Sequence, residues 1–324
     1  LLGIPFPRLT FERLKLLYSS GVENLAHQGG TQPPDLVPYN INHEIVRLFL
    51  FNPDMDIEKE IKRLALNWTG EKYHRILIKT WRFAEKAILA FPNVSALYST
   101  YGFTWYRLWV RPFVPNMESV LPKDRTFYED HMCTTPHNPN NVDLSRDVLF
   151  HLTFPKQAGL VMKRIDKNVW EPLDRAISFL EGAISGEKIT PGSGDIIHDQ
   201  LIRLSALRCW FMTQRNVAAW ISGVYGYQEA RNKTEKDKYR SMITDLIEKE
   251  IINTKRLKVL LESGVEFMAM TDLKETPLIH GNNLSNNLNK RVKIMRAHID
   301  DEPYINPDYI EEKAKKRYDQ TGSK

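Results

Sequence analysis

Apolar residues recur at intervals of three and four over most of the chain, which is the pattern of helices that bury one face. Phe11, Leu14, Leu17 and Tyr18 form the first stripe, in a helix predicted over Thr10 to Ser20, and Gly21 is placed to stop it. Val22 to Ala26 then reads as a short strand, and His27-Gln28-Gly29-Gly30-Thr31-Gln32-Pro33-Pro34 as a polar loop full of breakers. Helix, glycine, strand and polar loop is the order of one αβ step of an α/β barrel, where the loop after a strand lies on the active face. From about Tyr39 the pattern is helical. Ile57, Ile61, Leu64 and Trp68 follow Asn52-Pro53-Asp54 and Asp56, residues suited to capping a helix start. Leu77, Trp81, Ala84, Ile88 and Phe91 continue another helix that Pro92 ends. Met162, Ile165, Val169, Leu173, Ile177, Leu180 and Ile184 mark a long one, with a kink or break expected at Pro172. Leu201, Leu204 and Leu207 lead into a nearly continuous apolar stretch, Cys209 to Val224, expected to be buried on most sides. Tyr239, Ile243, Leu246 and Ile247 open a helix running to about Glu262, and Leu288, Val292, Met295 and Ile299 close the set. The fold class is therefore mainly α: a bundle of roughly seven to nine helices preceded by a short αβ remnant of a barrel.

Two stretches break the helical pattern. Pro92 to about Ser145 carries Pro112, Pro115, Pro122, Pro136 and Pro139 among many aromatics, and irregular segments of such length inside a domain usually carry function. Gly186 to Gly194 reads as an exposed linker between two helical halves. The expected organisation is an αβ remnant over residues 1–38 and a helical domain over 39–324. No repeat of fixed period is present.

Composition narrows the class further. The 324 residues are 42% hydrophobic and 26% charged, which is globular and excludes disorder or fibre. A net charge of +5 is mild for this length and implies no nucleic-acid partner. No apolar run reaches membrane-spanning length, so no membrane partner is expected. Cys133 and Cys209 cannot make a disulfide framework, although a single bridge stays open. The opening Leu-Leu-Gly-Ile-Pro-Phe-Pro has no basic leader and no initiator Met, which suggests a mature or excised fragment.

Few motifs point to chemistry. His43-Glu44 begins a zinc-protease signature, but Arg47 stands where the second His belongs. His131, Cys133 and His137 lie close together without a nearby fourth ligand, so no metal and no cofactor are expected. Gly192 and Gly194 lack the features of a phosphate loop, and no Gly-x-Ser-x-Gly elbow marks a nucleophile. The sequons at Asn67, Asn93, Asn232 and Asn283 are read as chance, and the basic run Lys313 to Arg317 as a solvated helix end. The middle segment is the most suggestive. Tyr98, Tyr101, Phe103, Trp105, Tyr106 and Trp109 interleave with Arg107 and Arg111, and His137, Asn138, Asn140 and Asn141 follow. Flat aromatic faces stack on sugar rings, while Arg, Asn and His bond hydroxyls. Buried core is the competing reading, because Tyr98, Tyr101, Trp105 and Trp109 fit a helical stripe. His27, Gln28, Asn40 and Asn42 would extend the polar surface if the chain ends meet.

Several segments together carry a resemblance: Val22 to Gly30, the Phe51 to Asp56 turn, Asn67-Trp68-Thr69-Gly70, Glu275 to Asn283, and Asp300 to Tyr309. The chain resembles the C-terminal helical region of large bacterial glycoside-hydrolase-like proteins, with an arrangement similar to that in alpha-glucuronidases. The resemblance implies that residues 1–38 are the last unit of a barrel, followed by an appended helical domain. It implies a supporting role toward that barrel and an extracytoplasmic location, in the periplasm or at the cell surface. Trp105, Arg107, Trp109, Arg111, His137, Asn138, His27 and Gln28 are the candidate glycan contacts. Glycosidic cleavage needs two carboxyl groups flanking one bond. Near the expected strand only Glu23, Asp35 and Glu44 are carboxylates, and none has an acid/base context. The catalytic pair is expected on earlier barrel strands outside this sequence, which leaves the activity of this chain open. The alternative is a helical scaffold for protein–protein contact with no small ligand.

Overall fold

The computed structural model describes residues 3–22, 24, 37–92, 109–124, 127, 155–186, 190–268 and 283–304. Among these the chain is helical: α1 (Pro7–Ser19), α2 (Ile41–Phe51), α3 (Ile57–Ala90), α4 (Pro155–Asn168), α5 (Trp170–Ile184), α6 (Pro191–Glu229), α7 (Lys233–Leu261) and α8 (Leu284–His298). A 3-10 turn lies at Met117–Ser119. The described residues contain no strand. Of the αβ step, α1 is present, while most of the expected strand and all of the loop from His27 to Pro34 lie outside the described residues.

Local chemistry explains the helix ends. Past Ser20, Gly21 adopts φ +80°, its N–H donates to the Tyr18 carbonyl, and Val22 N–H donates to Leu17. This paired closure satisfies carbonyls that the helix leaves open, and glycine takes the left-handed position without steric cost. Asp56 caps α3 by accepting from the N–H groups of Glu58 and Lys59. The turn before it is tied by Asn52, whose side chain accepts from Asp54 N–H. Gly70, at φ +68° and ψ −179°, breaks α3 into two rods, so the Asn67 to Gly70 segment does end a helix. The break expected near Pro172 falls at Val169, where α4 gives way to α5. Proline at that position leaves the carbonyl four residues earlier without its helical donor. Two sequon asparagines are helix caps: Asn232 accepts from Glu235 N–H, and Asn283 accepts from Asn286 N–H. Asn67 is exposed beside a half-buried Trp68. Its partner Thr69 is buried and donates to the Ala65 carbonyl.

The described residues fall into two compact units. The first draws on Leu1–Pro92, Arg164–Arg208 and Val259–Glu275, the second on Asn93–Lys163, Cys209–Lys258 and Thr276–Lys324. The chain passes from first to second within α6. Residues 186–194 lie inside the first unit, and α6 has already begun at Pro191, a residue preorganised for a first helical position.

In the first unit α3 packs on α5. Leu77, Trp81, Ala84 and Ala87 meet a stripe of Leu173, Ala176, Ile177 and Leu180, all buried. Trp81 sits edge-on to Trp68 at 5.9 Å and donates its indole N–H to Gln200 at 3.1 Å. The N-terminal segment is held by Asn42, which accepts from Phe6 N–H at 2.8 Å and donates to the Ile4 carbonyl at 2.7 Å. Asn40 caps α2 through the N–H groups of Asn42 and His43. Both asparagines are thus structural, where a polar binding surface was expected of them.

The second unit is built on the apolar face of α6. Val110, Val114, Met117, Val120, Phe127 and Ile294 form one buried cluster. Gly223 and Gly226 let α7 approach closely: a Cβ on Gly223 would stand 2.8 Å from Ile243 Cγ1, and one on Gly226 would overlap the Tyr239 ring.

Candidate functional site

Of the eight candidate glycan contacts, the described residues include two, and both are interior. Trp109 is wholly buried and packs edge-on against Trp210, centroids 5.4 Å apart. Arg111 is wholly buried, its guanidinium 5.5 Å from the centroid of the Trp220 ring. Neither offers a face to a ligand from solvent, so the expectation of contact is corrected for these two. Their physical role is core: the Trp220 indole N–H donates to the Val114 carbonyl at 2.9 Å, and Arg291 Nε donates to the Arg111 carbonyl at 2.9 Å. Trp105, Arg107, His137, Asn138, His27 and Gln28 lie outside the described residues. So do His131 and Cys133. Cys209 is a buried free thiol.

A fully buried charge pair lies in the second unit. Glu250 and Arg291 meet at 2.8 Å with both side chains sealed from water. Thr213 Oγ1 and Asn216 Nδ2 donate to the Glu250 carboxylate at 2.6 and 2.7 Å. Arg291 also donates to Thr254 Oγ1, whose own hydroxyl donates to the Glu250 carbonyl. Every oxygen of this carboxylate is therefore committed to a partner. The network is a core clamp, since an acid that serves catalysis must reach a substrate. Removing one partner of such a pair leaves a buried charge, at a cost of about 3–5 kcal/mol.

Serine, histidine and aspartate do converge in the second unit, at Ser119, His298 and Asp301. His298 Nδ1 lies 2.7 Å from Asp301 Oδ2 and 3.3 Å from Ser119 Oγ, and the Ser119 hydroxyl donates to the same Asp301 oxygen. A nucleophilic triad needs the serine on one ring nitrogen and the carboxylate on the other. Here both crowd Nδ1, and the serine proton goes to the aspartate. The trio is a clip: it holds the turn after α8 against residues 116–119, where Tyr304 N–H donates to the Pro115 carbonyl. Tyr227 and Glu302, hydroxyl to carboxylate at 2.8 Å, tie down the same segment.

Two surface features remain. One is a groove of about 610 Å³ in the second unit, lined by Lys123, Asp124, Asn286, Asn289, Lys290 and Lys293, with Ile294 and Ala297. Sequence reasoning missed it, although the asparagine-rich stretch that opens α8 was the visible signal. The other is apolar and lies in the first unit. Tyr18 meets Phe49 edge-on at 6.1 Å. Leu50 and Phe51, the next residues along α2, are 69% and 88% exposed, and Leu16 and Tyr18 are exposed on α1. These four exposed side chains belong to two helices that pack on each other, and large uncovered apolar side chains are candidates for a contact area.

Among the described residues no group of three His, Cys, Asp or Glu side chains is placed to hold a metal, and no helix is long and apolar enough to cross a membrane. No protein-family model, no curated protein and no solved structure matches the chain.

Proposed function

We propose that the chain is a helical supporting module of a glycoside-hydrolase-like protein, one that braces a catalytic barrel and carries no catalytic carboxylate pair of its own. The observation that carries this reading is the exposed apolar group of Leu16, Tyr18, Leu50 and Phe51. Leu16 and Tyr18 lie in the last turn of α1, shortly before the segment read as the last barrel strand, and Leu50 and Phe51 end α2, which packs on α1; a barrel wall would cover them. The turn and capping motifs behind the resemblance support the same reading. Glycan contact, if the module lends any, falls to Trp105, Arg107, His137, Asn138, His27 and Gln28, and the proposed location is extracytoplasmic.

The test compares this chain with a longer protein that contains it, each with and without Leu50→Ser/Phe51→Ser. This chain alone should cleave no aryl glycoside, whereas the longer protein should. The double substitution should change the stability of the isolated chain by no more than about 0.5 kcal/mol, the usual range for exposed positions. In the longer protein it should lower the barrel's unfolding temperature. Cleavage by the isolated chain, or a barrel indifferent to the substitution, overturns the reading.

The burial of Trp109 and Arg111 favours a second reading, a scaffold for protein–protein contact with no small ligand. Light scattering separates the two. A dimer of the isolated chain that Leu50→Ser/Phe51→Ser converts to a monomer assigns the apolar area to a second protein chain.

A further inference from the structure

We infer that the groove beside α8 binds an anionic polysaccharide, one whose sugars carry carboxylate or sulfate groups. The inference rests on the carbohydrate-related reading above, but on different residues. Asn286 is followed three and four residues on by Asn289 and Lys290, these by Lys293 at four and three, and Lys293 by Ala297 at four, so they line one side of α8. With a rise of 1.5 Å per residue, the run from Asn286 to Lys293 extends about 10 Å, enough to follow more than one sugar unit. Lys123 and Asp124 complete the polar lining.

The balance of charge points to an anion. Three ammonium groups face one carboxylate, that of Asp124. No carboxylate among the described residues forms an ion pair with Lys123, Lys290 or Lys293. Elsewhere Lys15 and Lys249 hold acidic partners, as do Arg8, Arg47, Arg63, Arg203, Arg208 and Arg291. Lys290 is positioned by stacking, its Nζ 4.6 Å from the centroid of the Phe127 ring. Asn286 lies in the first turn of α8, where the helix dipole adds partial positive charge.

The kind of donor narrows the ligand. Lysines are hydrated point charges without the planar fork that grips a phosphate in two places. They suit charge spread along a flexible chain. The two asparagine amides offer both donors and acceptors, which matches hydroxyl groups between the charges. Phe127 is buried beneath Lys290 and presents no open ring, so the groove has no platform for a nucleobase.

The test is calorimetry of the full chain with polygalacturonate, dextran sulfate, neutral dextran and poly-glutamate. One variant carries Lys123→Gln, Lys290→Gln and Lys293→Gln. A control removes as much charge elsewhere, with Lys59→Gln, Lys62→Gln and Lys255→Gln. Circular dichroism and thermal unfolding confirm that both variants are folded. Binding to polygalacturonate or dextran sulfate, weakened by added salt and at least about tenfold weaker in the groove variant than in the control, is the expected result. The stronger of these two ligands distinguishes a carboxylated from a sulfated chain. No binding by the unmodified chain, equal loss in both variants, or a preference for poly-glutamate overturns the inference. None of these outcomes bears on the apolar area of α1 and α2, so this inference and the supporting-module reading fail separately.

Discussion

Glu85 lies almost wholly buried on α3, where it accepts from the backbone N–H of Arg8 at 2.6 Å and meets the Arg8 guanidinium at 3.2 Å. Burial pushes its carboxyl above the ordinary range, against the pull of Arg8. Glu58, more exposed, is held below that range by its bond from the same arginine. The two acids therefore act on stability with opposite sign. With its pKa raised by folding, Glu85 keeps its proton in the native state to a higher pH than in the unfolded chain. Over the window between those two values the native state binds more protons, and stability falls as pH rises. Glu58 contributes stability at higher pH that is lost as pH falls through its depressed folded value. Glu85→Gln keeps the acceptor for Arg8 N–H but cannot titrate. Urea unfolding at about pH 4 and pH 7, which bracket the ordinary carboxylate range on the side of the shift, should show the variant gaining on the unmodified chain as pH rises. A difference that does not move with pH would refute the assignment. Such residue-level roles were partly legible. Asp56 as a cap and Gly21 as a stop follow from local rules that need only neighbours in sequence. The roles of Asn40 and Asn42 were not, because Asn42 reaches Ile4 and Phe6, far along the chain.

Helices are legible because a 3.6-residue period survives any tertiary arrangement that keeps one face dry. Ile165, Val169, Leu173, Ile177 and Leu180 of the long stripe are buried, as is most of the run from Cys209 to Val224, while Ile184 is exposed and the break falls at Val169, three residues before Pro172. What periodicity could not convey is which helix meets which. Gly223 and Gly226 look like weak points in α6, since glycine costs about 1 kcal/mol in a helix interior. Their purpose is visible only beside α7, where Ile243 and Tyr239 occupy the space their side chains would need. Gly226→Ala should therefore destabilise the protein by about 1–3 kcal/mol, although alanine is the better helix former. Adding Tyr239→Ala should return part of the loss, and chemical unfolding of the four combinations reads the coupling. Strict additivity would show that the close approach is not what places glycine there.

The two units are each assembled from three separated stretches of chain. A division into halves at residues 186–194, which composition alone suggests, cuts through the first unit. Separate polypeptides 1–190 and 191–324 should therefore fail to fold cooperatively on their own, as judged by circular dichroism and hydrogen exchange. A piece with native-like protection and a cooperative transition would contradict this. The aromatic middle segment shows the same limit in another form. Trp109 fitted a helical core stripe and also, with Arg111, a sugar-binding surface, and composition does not separate the two. The long-range packing of Trp210 and Trp220 put both inside. By itself, then, the sequence determined the helices, most of their ends and the mainly α class, because these depend on spacing and on contacts between near neighbours. Only the tertiary structure decided which polar residues were consumed by the core, which lysines stayed open along α8, and which apolar residues were left uncovered on α1 and α2. Those outcomes depend on residues far apart in the chain, and no local pattern encodes a distance across a fold.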